Sequence, residues 1–417
     1  MITDGLLVET GPALLATVDD GPGLVAHRRR LGPRRTASAA EVLAAAEAVG
    51  LRGRGGAAFP FAIKLRTVLE GSRRPVVVVN LSEGEPLSAK DHALALVAPH
   101  LVLDGALGVA HAIGAAQVHL ALPGERPGVR RSMFAALAER HDAGKVRCHI
   151  ASPRFVAGQE RAVIELIAGR ENLPVTTWRP AATSGVRGRP TLLSNAETWA
   201  QLGLLLQGGV EAYRQLGTDS EPGTTLLTVT ASGQPRLVRE TAYGVPFGTA
   251  VPELVAPGRP GLVLLGGFHG TWVSRKRLAR TALSVDRLRQ IGAALGAGVV
   301  HLPPAGQCPV RRSAEIVALL AGESAGRCGP CRFGLPALGA AIGRLAAGTA
   351  DATEVARLAA LVTGRGACAH PDGTVRLVRS LLGEAEEEVR DHALGRCSYG
   401  TLGVPPVRGL AGRWAAS

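Results

Sequence analysis

At 417 residues, with 46% hydrophobic and 19% charged positions, the chain is long enough for two or three domains rather than one core. A formal net charge of +13 invites a nucleic-acid partner, yet the arginines are dispersed apart from Arg28 to Arg30 and Arg34-Arg35, and aromatic residues make up 3%, too few for a base-stacking surface. Nucleic-acid binding is therefore set aside, and so is a membrane span, because the most apolar stretch, Leu94 to Leu122, is interrupted by His100, Asp104, His111 and Gln117.

Residues 1–38 are punctuated by glycine and proline and end in a basic run, which reads as an extended N-terminal lead-in. Met1-Ile-Thr-Asp-Gly has no basic region ahead of an apolar core, so no secretory signal is visible and a cytoplasmic location with reduced cysteines is the default. A helix opens at Ser38, where Glu41 completes a capping box, and stops at Gly50. Strand candidates then alternate with longer helical stretches: Pro75 to Asn80, Leu94 to Ile113, Gln117 to Leu122, Val129 to Arg140, Val146 to Ala151 and Gly158 to Ile167. The alternation predicts a doubly wound α/β domain over 39–218. From Asp219 the texture changes to short strands between Gly/Pro turns, namely Leu226 to Ala231, Gln234 to Arg239, Pro246 to Thr249 and Gly261 to Gly266, which predicts a small β-rich domain over 219–302. Alanine- and leucine-rich patterns at Ser313 to Leu320, Pro336 to Leu345, Ala352 to Leu361 and Val375 to Leu382 predict a helical bundle over 303–395, with 396–417 as a tail.

Three of the six cysteines fall in one pattern: Cys328 and Cys331 in Gly322-Glu-Ser-Ala-Gly-Arg-Cys-Gly-Pro-Cys-Arg332, and Cys368 in Gly364-Arg-Gly-Ala-Cys368. A Cys-x-x-Cys pair serves zinc, a redox dithiol or a cluster, and no second pair completes a zinc ribbon. Further upstream, Gly50-Leu-Arg-Gly-Arg-Gly-Gly-Ala-Ala-Phe-Pro-Phe-Ala-Ile-Lys64 follows the first helix; Gly53, Gly55 and Gly56 allow successive N–H groups to face an anion, and Lys64 adds a charge. From the glycines alone, a phosphate cradle and an ordinary loop are equally good readings. The valine run 76–79 leads into Asn80-Leu-Ser-Glu-Gly-Glu-Pro-Leu-Ser-Ala-Lys-Asp-His92, and polar groups leaving a parallel strand are where such sheets bind ligands.

These segments, with Phe155 to Ala162 and Thr183 to Thr198, occur in the order of the NADH-binding flavoprotein subunit of respiratory complex I, which the chain resembles together with the diaphorase subunits of NAD-linked hydrogenases and formate dehydrogenases. The cysteine segment is similar to that family's Glu-Ser-Cys-Gly-x-Cys-x-Pro-Cys-Arg, with Ala325 in place of the first cysteine. The glycine segment is similar to its FMN-binding Gly-Leu-Arg-Gly-Arg-Gly-Gly-Ala-Gly-Phe-Pro, with Ala58 in place of glycine.

The resemblance implies cofactor binding by Gly53, Arg54, Gly55, Gly56, Phe59, Lys64, Asn80, Glu83, Gly158, Asn195 and Thr198, with Phe59 beside the adenine of NADH and the others toward FMN. It implies Glu85 and Glu160 as catalytic residues near the ribose or nicotinamide of NADH, the candidate substrate. Cys328, Cys331 and Cys368 would hold an iron–sulfur cluster, either 3Fe-4S or 4Fe-4S with one non-cysteine ligand. His370 and Ser324 are weak candidates for the vacant place, with bound water as the alternative; Cys308 is not promoted, Cys148 reads as core, and Cys397 has no partner in sequence. The small β domain would be β-grasp-like. Where the family sandwiches the adenine with further rings and assists with a lysine, Thr67, Pro180 and Thr177 stand here. The expected function is an oxidoreductase subunit passing electrons from NAD(H) or another reduced donor to a separate carrier such as a ferredoxin, for which a basic surface is a suitable dock. The alternative is a non-catalytic relay or scaffold that has lost NADH use or one cofactor.

Overall fold

The first strands are a short hairpin, β1 (Ile2–Thr3) and β2 (Leu6–Val8), followed by helix α1 (Leu24–Leu31), in a computed structural model that describes residues 1–177, 179–257, 261–400 and 402. The lead-in is therefore not extended. Strand β2 pairs in parallel with a strand more than two hundred residues later, a long-range contact that local composition does not encode.

Helix α2 (Ala39–Ala48) has the expected capping box: the Ser38 hydroxyl accepts from the Glu41 N–H at 3.2 Å, and the Glu41 carboxylate accepts from the Ser38 N–H at 2.7 Å. After α3 (Phe61–Leu69), β3 (Val76–Asn80) is buried along its valines. The helical pattern expected from Leu94 to Ile113 is two helices, α4 (Lys90–Val97) and α5 (Pro99–Ala112), bent by 95°. Pro99 has no N–H to continue α4, and its ring pushes Ala98 out of helical geometry (φ −139°, ψ 48°). Then come β4 (Gln117–Pro123), α6 (Pro127–Ala138), β5 (Val146–Ala151), α7 (Glu160–Ile167), β6 (Thr191–Asn195) and α8 (Ala196–Arg214). The four strands form a parallel sheet in the order β5-β4-β3-β6, with Asn80 opposite Asn195 at its C-terminal edge.

Alternating residues send this sheet into two cores. Val77, Val79, Leu120 and Leu192 pack with α2 to α6 and α8, while Val76, Val78, Ala121 and Leu193 pack with α7. Helices cover both faces, unequally.

The next part contains β7 (Thr224–Ala231), β8 (Arg236–Ala242), α9 (Phe247–Ala250), β9 (Leu262–Leu265), β10 (Thr271–Ser274), α10 (Arg275–Arg280), α11 (Val285–Gln290) and β11 (Val299–Leu302). With the hairpin they make a mixed seven-stranded sheet, β1-β2-β8-β7-β11-β9-β10. The strand expected at Pro246 to Thr249 is instead the start of α9: Pro246 stands at its N-cap, and the Phe247 N–H bonds to the Thr281 carbonyl rather than to a neighbouring strand.

Helices α12 (Pro309–Gly322), α13 (Leu335–Ala346), α14 (Ala352–Val362), α15 (His370–Glu384) and α16 (Glu386–Ala393) close the molecule around a core that includes Ile316, Leu338, Val355 and Leu377. Of the expected tail, 401 and 403–417 lie outside the described residues. Among the described residues no single helix is long and apolar enough to cross a membrane.

Candidate functional site

The glycine-rich loop is folded on itself. The Gly53 N–H bonds to the Phe59 carbonyl at 2.8 Å, and Arg52 bridges Pro60. Within this loop the N–H groups of Gly55, Gly56 and Ala57 have no protein hydrogen bond among the described residues, and all three residues are exposed. Three consecutive free donors beside a left-handed turn (Gly56 φ +100°) suit an anion such as the FMN phosphate. Ala58 is also left-handed, at φ +49°, where an L side chain costs about 1–2 kcal/mol. Ala58→Gly should therefore raise stability by about 0.5–1 kcal/mol once glycine's larger unfolded-state entropy is offset, and a urea melt checks it.

Arg54, expected among the cofactor contacts, lines a cavity with Gly53, Gly56, Ala57 and Ala58 and is also tied to the fold. Its N–H donates to Thr198 Oγ1 at 2.9 Å, its guanidinium reaches the Thr224 carbonyl at 3.2 Å and lies 4.8 Å from the Tyr243 ring centroid, and it is buried. It anchors the loop from behind. Asn195 and Thr198 are committed in the same way. Thr198 Oγ1 donates to Asn195 Oδ1 at 2.6 Å, and Asn195 Nδ2 donates to Asp91 at 2.9 Å. Asp91 also accepts from the Glu197 N–H (2.7 Å) and pairs with Lys90 (3.0 Å), which reaches Glu197 at 3.0 Å. Burial opposes the Lys90 charge, but the carboxylates of Asp91, Glu197 and Glu83 outweigh it and push its pKa up. This buried network fixes the floor beneath the glycine loop. A direct bond from Asn195 or Thr198 to the flavin, as the sequence implied, would have to share these atoms.

Lys64 does not reach the loop's donors. Its ammonium donates to the Leu193 carbonyl at 2.9 Å and pairs with Glu160 at 3.2 Å, the first residue of α7. Phe59 is 49% exposed, so one ring face is open to a ligand.

At the other side of the strand ends, Asn80 Nδ2 donates to the Gly158 carbonyl at 2.7 Å and Asn80 Oδ1 accepts from the Ser82 N–H at 3.0 Å. Two backbone segments meet here. A Cβ on Gly158 would lie 2.2 Å from the Ser82 carbonyl oxygen, and one on Gly84 would lie 2.2 Å from that of Phe155. Glu83 is spent on structure: it accepts from Ser88 Oγ (2.5 Å), the Asp91 N–H (3.3 Å) and the His92 N–H (3.2 Å), so it caps α4 from outside. Burial raises its pKa, but Arg126 and Lys90 win and hold it below the usual carboxylate value. A cavity of about 930 Å³ opens beside these strand ends, with Ser82, Glu83, Arg126, Arg154 and Phe155 in its wall.

Glu85 accepts from the Phe268 N–H at 2.8 Å and the Leu87 N–H at 3.2 Å, joining the strand-end loop to the turn before β10. Burial pushes its pKa up to about 8, against those two bonds. A carboxyl raised above its unfolded value of 4.5 holds its proton more tightly when folded, so its contribution to stability is complete below 4.5 and fades as pH rises toward 8. Glu85→Gln should thus gain thermal midpoint relative to the unsubstituted chain between about pH 5 and about pH 9; a constant difference would assign the pH response elsewhere.

The three pattern cysteines come together. Cys328 Sγ and Cys331 Sγ are 3.5 Å apart at the wide helical turn leading into α13, and Cys368 is near enough that its charge acts on both. Burial, with Cys328 next, pushes Cys331 up to about 11, so three neighbouring thiols here are a poor set without a cation to take up thiolate charge. That donor set fits iron–sulfur ligation. His370 does not complete it: buried, it meets the Leu320 carbonyl with Nε2 at 2.8 Å and His269 with Nδ1 at 3.0 Å. The backbone carbonyl of Ser324 accepts from Arg154 at 2.9 Å, and Glu323 accepts from the Phe155 N–H at 3.1 Å.

Sequence reasoning missed what joins the two places. The turn whose Gly158 carbonyl is held by Asn80 begins at Phe155, whose N–H bonds to Glu323 at 3.1 Å, and follows Arg154, which donates to the Ser324 carbonyl; Glu323 and Ser324 lead into the cysteine loop. The turn Phe155 to Gln159 therefore touches the strand-end site at Gly158 and the segment before the cysteine loop at Phe155.

Two family models match the chain: the Nuo51 FMN-binding domain over residues 46–203, and the NADH-ubiquinone oxidoreductase-F iron-sulfur binding region over 311–392. An NADH-quinone oxidoreductase subunit of Rhizobium meliloti (strain 1021) is 29% identical over 91% of this chain and 94% of its own length. The corresponding NADH-quinone oxidoreductase subunit of Mycobacterium bovis (strain ATCC BAA-935 / AF2122/97) is 27% identical over 85% of both. Among solved structures, NAD+-reducing [NiFe]-hydrogenase in the air-oxidized state has a chain that superposes with a TM-score of 0.82 at 26% identity, over 94% of this chain and 68% of that one. The glycine loop with its free donors lies inside the first matched region and Cys328, Cys331 and Cys368 inside the second, so the chain carries the FMN-binding and iron–sulfur-binding regions of NADH dehydrogenase-like flavoprotein subunits.

Proposed function

We infer that this subunit receives electrons from NADH or another reduced donor at its strand-end site and delivers them through its cysteine site to a separate redox protein such as a ferredoxin. The observation that carries the reading is the shared turn, in which Gly158 is held by Asn80 and the Phe155 N–H by Glu323, just before the cysteine loop. When bound, FMN takes electrons as a pair and gives them up singly, and an iron–sulfur cluster accepts one at a time. The N–H groups of Gly55, Gly56 and Ala57 would hold the phosphate, and Lys64 paired with Glu160 would set the charge beside the ring. Asn80 and the buried network under Asn195 keep the two segments in register.

Glu85, with its raised pKa, would present a neutral carboxyl to the donor's amide near neutral pH. Thr177 and Pro180 are exposed and Thr67 is half-buried, and none of the three offers a ring to an adenine, whereas the exposed Phe59 does. Each absent stack forfeits about 0.5–1.5 kcal/mol. Weak NADH affinity follows, and this favours keeping a second reading, a relay fed by another protein. Anaerobic titration separates them: flavin bleaching by NADH supports the first, while no bleaching at high NADH with prompt bleaching by a reduced ferredoxin moves the function to the relay.

A further inference from the structure

Away from the three pattern cysteines, the helical part brings four other donors to one point. Cys308 is the N-cap residue of α12, Glu388 and His392 are one turn apart on α16, and Cys397 lies on the turn that follows. Their ligand atoms all lie within 4.8 Å of one another. His392 Nε2 is 3.2 Å from Cys308 Sγ and 3.2 Å from Glu388 Oε1, and Cys308 Sγ is 3.6 Å from Glu388 Oε1. We propose that Cys308, Glu388, His392 and Cys397 form a structural zinc site, separate from the iron–sulfur cysteines.

Three features carry the proposal. First, the spacing is close to that of a tetrahedron: ligand distances of about 2.0–2.3 Å to zinc place neighbouring donors about 3.3–3.8 Å apart, and the three separations among Cys308, Glu388 and His392 fall in or just below that range. Second, the histidine is already oriented. Its Nδ1 meets the Ala346 carbonyl at 3.1 Å, which fixes the N–H there and turns the Nε2 lone pair toward the other donors. Third, Cys308, Glu388 and His392 are buried, His392 completely and Cys308 to 3% exposure, and the donors come from separate parts of the chain. Two thiolates, an imidazole and a carboxylate form a closed set suited to zinc rather than to calcium or magnesium. The ion would fasten the end of the described chain to the start of α12. The far end of α12 runs into Glu323 and Ser324, which hold the cysteine loop against Arg154 and Phe155.

The test is metal analysis of the full chain, purified without chelator from zinc-replete cells and assayed for iron, sulfide and flavin in parallel. Zinc near one per chain is expected, and it should persist when Cys328, Cys331 and Cys368 are all changed to serine. Cys397→Ser and His392→Gln should each cut zinc by about tenfold or more while leaving iron and flavin content in place. Cobalt added to the metal-stripped, unsubstituted chain should give the visible spectrum of a tetrahedral, thiolate-bound ion, an outcome independent of how the variants fold. Substoichiometric zinc with no such cobalt spectrum, zinc unchanged in both ligand variants, or zinc lost with the pattern cysteines would overturn the assignment.

Discussion

Gly158→Ala should empty the flavin site. Its Cβ would meet the Ser82 carbonyl oxygen at 2.2 Å, a contact with backbone that no rotamer change relieves. Forcing the segments apart should cost about 1–3 kcal/mol by the usual penalty for overpacking, read as a lower denaturation midpoint. The same shift would lengthen the 2.7 Å bond from Asn80 to the Gly158 carbonyl, so flavin content should fall. A variant with full flavin and an unchanged midpoint would show that the close approach of 82–84 to 155–158 is not needed for binding.

Cys331→Ser should remove most of the iron and sulfide. Cys331 is the buried member of the trio, 3.5 Å from Cys328, and a serine oxygen is a harder, far less acidic donor than a thiolate. The reverse change is as informative. Ala325 stands where the family has a fourth cysteine, and Ala325→Cys should make the cluster persist longer in air by closing an open or weakly held iron. Iron-to-sulfide ratios and the rate of bleaching in air measure both. Unchanged iron in Cys331→Ser, or equal lability in Ala325→Cys, would remove the site from 328–368.

Much of the fold was legible because it rests on local chemistry. Ser38 and Glu41 announced α2, the valines of β3 announced a strand buried on both faces, and Asn80 stood at its polar end, where the structure puts it opposite Asn195. Cys328 and Cys331 lie 3.5 Å apart, as a Cys-x-x-Cys pair in a helical turn implies. What local pattern could not encode was pairing at a distance. The hairpin at residues 2–8 joins the seven-stranded sheet through β8, and Pro99 breaks an apolar run that reads as one helix.

The site shows the same division. Residue types pointed to Gly55, Gly56, Asn80 and Gly158, but sequence could not show which side chains were already spoken for. Arg54, Glu83, Asn195 and Thr198 are occupied by buried partners, and both nitrogens of His370 are engaged elsewhere. Cys397 had no neighbour in sequence because Cys308, whose sulfur lies within 4.8 Å of it, stands before the first helix of the bundle. Glu388 and His392 one helical turn apart, with Cys397 soon after, were the readable hint.

The most direct test of the account is a comparison of two anaerobic, reconstituted proteins, the unsubstituted chain and Cys331→Ser, during stepwise reduction followed by absorbance and low-temperature EPR. The account predicts that flavin absorbance bleaches in both, while a reduced-cluster signal grows only in the chain that keeps Cys331. A protein that takes up no FMN, or a cluster that stays oxidised while the flavin is fully bleached, would contradict the claim that the turn from Phe155 to Gln159 joins two working redox sites.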